Sequence, residues 1–212
     1  MEIMSRLAES LEKGEDATVA TLTAQALEGG AAAGDILQDG LIAGMNVVGV
    51  QFRDRQIFLP DVLLSARAMY AGLELLRPHL AKEGVPLRGK VVIGTIKGDL
   101  HDIGKNLVGI MLKGAGFEVI DLGSDVSPEA FVDAAVQEEA SLIGMSALLT
   151  TTMARMKDVV ALIESRGLQG QIRTIVGGAP VSPEFAREIG ADGYASDGAT
   201  AVERVKALLE VA

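Results

Sequence analysis

KVVIGTIKGDLHDIGKNL, residues Lys90 to Leu107, divides the chain into two kinds of sequence. Its first seven residues form a short apolar, β-branched run of strand length. Directly after the run, Asp99, His101 and Asp102 fall within four residues, and a helical pattern opens near Ile103. His101 is one of only two histidines in 212 residues, and it stands between two carboxylates.

Downstream of this stretch, short apolar runs alternate with helical stretches. The strands are expected at Val91–Ile96, Glu118–Leu122, Leu142–Ser146, Ile172–Val176 and Gly193–Ser196, with helices near 103–115, 128–140, 152–166, 183–190 and 198–210. Two of these helices open alike, SPEAF at 127 and SPEFA at 182: serine caps, proline takes the first turn, and glutamate suits the positive helix end. Five strand–helix units imply a doubly wound, Rossmann-like (flavodoxin-like) parallel sheet of five strands. Upstream, residues 1–84 read as helices. The first spans about Glu2–Lys13, Asp16 is placed to cap a second, and Asp35 to cap a third with Ile36, Leu37, Leu41, Ile42, Met45 and Val48 on one face. Pro60 opens a fourth whose apolar positions Leu59, Val62, Leu63, Ala66, Met69, Tyr70, Leu73 and Leu76 share one stripe. The expected fold is α/β: an N-terminal four-helix bundle over 1–84, then the sheet domain over 85–212. The joint is a linker at about 81–90 carrying Gly84, Pro86 and Gly89.

Composition narrows the chemistry. Apolar residues make up 49% of the chain, enough for packed cores. There is no cysteine, so disulfides, thiolate metal sites and cysteine nucleophiles are excluded. The N-terminus lacks a basic start followed by an apolar core, and the longest apolar run, LIAGMNVVGV, is too short for a membrane span of about 20 residues. A cytoplasmic protein with no membrane partner is expected. The net charge of −10 and the scattered arginines and lysines argue against a nucleic-acid partner.

Ligands of a parallel sheet bind beyond the carboxyl ends of its strands. The segments there are GDLHDIG after the first strand, SALLTTT after the third, GGAP after the fourth and SDG after the fifth. Singly, each reads as an ordinary polar loop or tight turn. Phosphate-binding glycine motifs are absent, and two aspartates would repel a pyrophosphate. Two histidines give no three-ligand zinc set, and there is no nucleophile elbow for a serine triad. An aspartate beside a histidine is a different device: the carboxylate takes one ring N–H, fixes the tautomer and leaves the other nitrogen as a base or metal ligand. With no second protein ligand nearby, a metal here would bring most of its own coordination, which points to a macrocycle.

Asp99-x-His101-x-x-Gly104, then Ser146-x-Leu148, then Gly177-Gly178, each after its strand, resemble the cobalamin-binding signature. The resemblance implies a cobalamin bound with its own base displaced, His101 as lower axial ligand of cobalt, and Asp99 on the other ring nitrogen. It implies Thr152 as the hydroxyl that completes the relay, so that Asp99, His101 and Thr152 form the catalytic set. Ser146, Leu148 and Thr150 would line the pocket of the displaced tail. Gly104 would let the backbone approach the ligand, and Gly177 and Gly178 would leave room for the tail, where a Cβ would meet it.

Residues 44–69, GMNVVGVQFRDRQIFLPDVLLSARAM, resemble the helical cap of methylcobalamin domains such as that of cobalamin-dependent methionine synthase. On this resemblance Phe52, Phe58, Leu59 and Val62 form an apolar lid over the cofactor. Cap and cobalamin domain together are similar to the stand-alone corrinoid proteins of methyltransferase systems, which carry a methyl group on methylcobalamin and return as cob(I)alamin. The implied partners are a substrate:corrinoid methyltransferase, an acceptor-side methyltransferase serving tetrahydrofolate or a thiol such as coenzyme M, and a reductive activator. The donor, whether methanol, a methylamine, a methoxylated aromatic or a quaternary amine, is a property of the partner, and the corrinoid protein is non-catalytic alone. The alternatives are a cobalamin-binding sensory module, the small subunit of an adenosylcobalamin mutase, and a flavodoxin-like module binding flavin.

Overall fold

The computed structural model describes residues 2–83 and 88–210. The chain falls into two compact units: Met1–Leu87 with Lys113–Gly116, and Arg88–Leu112 with Phe117–Ala212. Gly84 and Pro86 of the expected linker lie outside the described residues; Gly89 has a φ of +143°.

The helical unit contains α1 (Glu2–Glu12), α2 (Asp16–Glu28), α3 (Ala33–Asp35), α4 (Ala43–Arg53) and α5 (Leu59–Glu83), with a π-helical segment, Ile36–Ile42, joining α3 to α4. The third-helix face expected from the sequence is the buried one: Ile36, Leu37, Leu41, Ile42, Met45 and Val48 are all in the core. On α5 the stripe Val62, Ala66, Met69, Leu73 and Leu76 is buried, while Leu63 is exposed. Two expected caps are corrected. Asp16 is already helical: its Oδ1 accepts from the adjacent Ala17 N–H and its Oδ2 pairs with Arg67 Nε at 2.7 Å, with Glu15 at the capping position. Asp35 lies inside its helix, which starts two residues earlier; the Glu83 carboxylate accepts from Ala33 N–H at 3.1 Å and Gly34 N–H at 3.4 Å instead.

The second unit alternates β1 (Lys90–Thr95), α6 (Ile103–Gly114), β2 (Glu118–Asp121), α7 (Pro128–Gln137), β3 (Leu142–Ser146), α8 (Thr150–Met153), α9 (Met156–Ser165), β4 (Arg173–Gly177), α10 (Pro183–Glu188), β5 (Gly193–Ala195) and α11 (Gly198–Glu210). The helix expected over 152–166 is broken into α8 and α9. Ser127 and Ser182 cap their helices as their shared openings predict, each accepting from the N–H three residues on at 3.2 Å. All strand pairs are parallel and the order is β2-β1-β3-β4-β5. Val92, Ile143 and Val176 of the central strands share a core cluster with Phe131 and Val132 of α7 and Val159 and Ile163 of α9. Central strands covered by helices must be apolar throughout, which is why β1 is buried from Val91 to Thr95.

The strand order fixes where a ligand goes. From β1 the chain steps to β2 on one side, then crosses back to β3 on the other. The loops leaving β1 and β3 therefore diverge and open a crevice at the carboxyl edge. His101 follows β1, and Leu148 to Thr152 follow β3.

Candidate functional site

The site is built around one buried carboxylate. Asp99 is 0% exposed and receives five hydrogen bonds. Oδ1 accepts from the backbone N–H of His101 at 3.1 Å and lies 2.8 Å from the ring Nδ1 of the same residue. Oδ2 accepts from Leu148 N–H at 2.8 Å, Leu149 N–H at 3.2 Å and the Thr152 hydroxyl at 2.8 Å. Burial alone would raise the carboxyl pKa; the bonds from Leu148, His101 and Thr152 outweigh it and hold the group well below the usual aspartate range. Asp99 is thus a fixed anion that ties the β1 loop to the β3 loop.

A carboxylate only accepts, so the Nδ1–H of His101 donates to it and Nε2 is the ring nitrogen left for a ligand. The ring is presented outward, with its side chain 53% exposed. The Thr95 hydroxyl at the end of β1 donates to the His101 carbonyl at 2.9 Å and pins its backbone. Leu100 and Ile103 on either side of His101 are each 74% exposed, and Leu148 and Leu149 are 44% and 41% exposed. Four apolar side chains at a polar loop edge form a collar that a large, partly apolar ligand would cover.

The structure brings Asp99, His101, Leu148 and Thr152 together through these bonds. Ser146 is half-buried at the end of β3, paired with Thr95 and Gly177 of the neighbouring strands, and Thr150 is exposed at the start of α8. Around Gly104 a Cβ would meet nothing within 4 Å, so its surface is open. For the glycine pair the structure supplies a different reason from room for a tail. At Gly178, with φ +127°, a Cβ would lie 1.8 Å from the Ala147 carbonyl oxygen, and at Gly177 it would lie 2.9 Å from that of Ala195. These glycines are demanded by the fold's own backbone. In the helical unit, Phe58 is 68% exposed, Phe52 and Leu59 are half-buried, and Val62 is fully buried in the core rather than on a free face.

Several residues of the site escaped the sequence reading. Asp125, in the left-handed region at φ +59°, accepts from Gly98 N–H at 2.8 Å and Lys97 Nζ at 2.9 Å, while its own N–H donates to the Asp99 carbonyl at 3.0 Å. Lys105 is 4% exposed and bonded to Asp121. Asp102, between His101 and α6, receives the Asn106 side-chain amide on Oδ2 at 3.1 Å. After β5, Asp197 caps α11 by accepting from Thr200 N–H at 2.8 Å.

The donor chemistry suits one kind of metal group. Among the described residues no three His, Cys, Asp or Glu side chains gather as a ligand set. A single outward imidazole nitrogen with an apolar collar fits a metal whose equatorial ligands come from a macrocycle.

Comparison with known proteins agrees with this geometry. A B12 binding domain model matches residues 89–206, and a second B12 binding domain model matches residues 3–77. A corrinoid protein of Desulfitobacterium hafniense (strain Y51) is 42% identical over 212 residues, 99% of this chain and 98% of that protein. The trimethylamine corrinoid protein 1 of Methanosarcina mazei is 40% identical over 210 residues, covering 98% and 97%. Among solved structures, the methanol:cobalamin methyltransferase complex MtaBC from Methanosarcina barkeri contains a chain that superposes with TM-score 0.87 at 32% identity, covering 100% of this chain and 81% of that one. A cobalamin-binding protein from Desulfitobacterium hafniense DCB-2 superposes with TM-score 0.81 at 27% identity, covering 97% and 98%.

Proposed function

Since this chain belongs to the cobalamin-binding corrinoid proteins of methyltransferase systems, we propose that it is a methyl carrier serving two partner enzymes, with His101 as the cobalt ligand. The observation that carries the ligand assignment is the His101 ring itself: Nδ1 is engaged by a buried anion and Nε2 faces outward.

The bound corrinoid supplies a cobalt that takes up and gives up a methyl group. The chain's part is to hold and tune it. Asp99 orients the imidazole and fixes its tautomer. Thr152 and the N–H groups of Leu148 and Leu149 keep Asp99 ionised, so a proton at this relay resides on the imidazole and not on the carboxylate. Leu100, Ile103, Leu148 and Leu149 offer exposed apolar surface near the ring that a bound corrinoid would cover, and Gly104 in the first turn of α6 leaves its side open. Ser146, Leu148 and Thr150, beside the turn at Gly177 and Gly178, would hold the cofactor's nucleotide tail.

The helical part, 1–84, serves as the cap and residues 85–212 as the cobalamin domain. Phe52, Phe58 and Leu59 supply the apolar surface of the cap, and Val62 acts from the core of that unit. One partner is a substrate:corrinoid methyltransferase, a reading supported by the likeness to a chain of a methyltransferase complex. The second partner is an acceptor-side methyltransferase, with a reductive activator alongside.

Anaerobic reconstitution with cobalamin, followed by electron paramagnetic resonance of the Co(II) form, tests the reading. A nitrogen splitting that is unchanged by ¹⁵N labelling of the cofactor's own base and is lost in His101→Ala is the expected result. Failure to bind corrinoid, or a splitting that follows the cofactor's label, overturns it.

A further inference from the structure

Lys105 stands where lysine is disfavoured twice over. It is 4% exposed, and lysine is almost never that buried unless paired. It also lies in the first turn of α6, where the helix dipole opposes a cation. Asp121 at the end of β2 supplies the pair, with Oδ1 and Oδ2 at 2.7 and 2.6 Å from Nζ. Pairing alone is a weak reason to keep a buried cation, because well-packed apolar residues often serve stability as well.

The remaining bond of Nζ supplies a stronger reason. Asn106 Oδ1 lies 2.6 Å from it. An ammonium group only donates, so the amide must turn its oxygen to Lys105 and its Nδ2 to the other side. There Nδ2 donates to Asp102 Oδ2 at 3.1 Å. A chain of bonds therefore runs Asp121–Lys105–Asn106–Asp102 and ends on the carboxylate next to His101. His101 has two carboxylate neighbours in sequence, and only Asp99 meets its ring.

We propose that Lys105 is a positioning residue: acting through Asn106, it holds the Asp102 carboxylate on α6 and keeps Asp99 the only carboxylate partner of the His101 imidazole. The inference rests on the reading of His101 as the ligand-bearing histidine. It explains why a buried cation occupies the wrong end of a helix, and why an exposed asparagine follows it.

The test uses the cofactor-free protein with ¹⁵N-labelled histidine at one fixed pH. The only other histidine is His79, and a His79→Gln control assigns the ring signals. Wild type is expected to show one His101 state, protonated at Nδ1 with Nε2 bare. Asn106→Ala cuts the chain at an exposed residue and leaves both bonds between Lys105 and Asp121 in place; Lys105→Met removes its source. Both are expected to give a second ring state, or shifts averaged toward the Nε2-protonated tautomer. Adding Asp102→Asn to either should restore the wild-type spectrum. A wild-type spectrum in Asn106→Ala, or a second state that Asp102→Asn leaves in place, overturns the proposal. Absorbance titration of the wild type with cobalamin tests the underlying reading separately, so the two failures are distinct.

Discussion

Asp99 Oδ2 lies 2.8 Å from the backbone nitrogen of Leu148, forty-nine residues further along the chain. The bond joins the loop after β1 to the loop after β3 at the point where the sheet changes direction, and the same oxygen also accepts from Leu149 and Thr152. All of its partners donate. Asp99→Asn therefore puts an N–H against a donor in either orientation of the amide. The expected cost to the cofactor-free protein is about 2 kcal/mol or more, on the scale of a buried unsatisfied donor. Urea denaturation measures it; a change under about 0.5 kcal/mol, the scatter of neutral surface substitutions, would show that the bonds do not hold the two loops together.

The same anion predicts acid sensitivity. The folded-state pKa of Asp99 is depressed below the ordinary aspartate value of about 3.9, so its contribution to stability is fully present above that value. It is lost progressively as pH falls below it toward the folded pKa, because the unfolded chain then binds a proton that the folded chain refuses. Wild type should lose stability on acidification through this window more steeply than Asp99→Asn. Parallel slopes in melts taken across it would remove Asp99 as the source.

Gly104 and Gly178 separate binding from folding. Alanine at 178 requires a Cβ 1.8 Å from a carbonyl oxygen at φ +127°, so Gly178→Ala should fail to fold or lose more than about 4 kcal/mol. Alanine at 104 meets nothing within 4 Å and sits in a helix, so Gly104→Ala should be neutral or stabilising by up to about 1 kcal/mol. Corrinoid affinity should nevertheless fall in Gly104→Ala, since the new methyl group occupies the open surface at the start of α6. Unchanged affinity in a titration would show that the ligand does not approach Gly104.

How much of this was legible in the sequence follows from range. The expected strands fall within one residue of those observed, because an apolar run and its turn residues are local signals. Ser127 and Ser182 were readable as caps for the same reason. Asp16 and Asp35 misled: an aspartate near a helix start looks the same one residue too late, and the true cap at Ala33 comes from Glu83, fifty residues away. Asp99 and His101 stand in a spaced pattern, and Thr152 is named by the resemblance that the pattern carries; the structure joins the three by hydrogen bonds. Lys105 and Asp125 were not legible, since a lysine's burial and an aspartate's grip on another loop appear only when β2 is placed beside β1. The glycine pair is expected to leave room for a cofactor tail, but the atom that forbids a side chain at 178 belongs to Ala147, on the neighbouring strand's loop.

Leu100 and Ile103 make the last prediction, and they too went unnoticed, lying inside the motif that drew attention to His101. Each exposes about three quarters of its surface to solvent, so polar substitution removes no core contact. Leu100→Ser and Ile103→Ser should leave the stability of the cofactor-free protein within about 0.5 kcal/mol of wild type. If the collar is covered by the corrinoid, each substitution forfeits apolar burial worth about 1.5–3 kcal/mol, which corresponds to roughly a tenfold or greater loss of affinity. Titration followed by absorbance, beside urea melts of the same samples, reads both quantities. Equal affinity in the serine variants would mean that the ligand stands clear of these side chains and meets the loop through His101 alone.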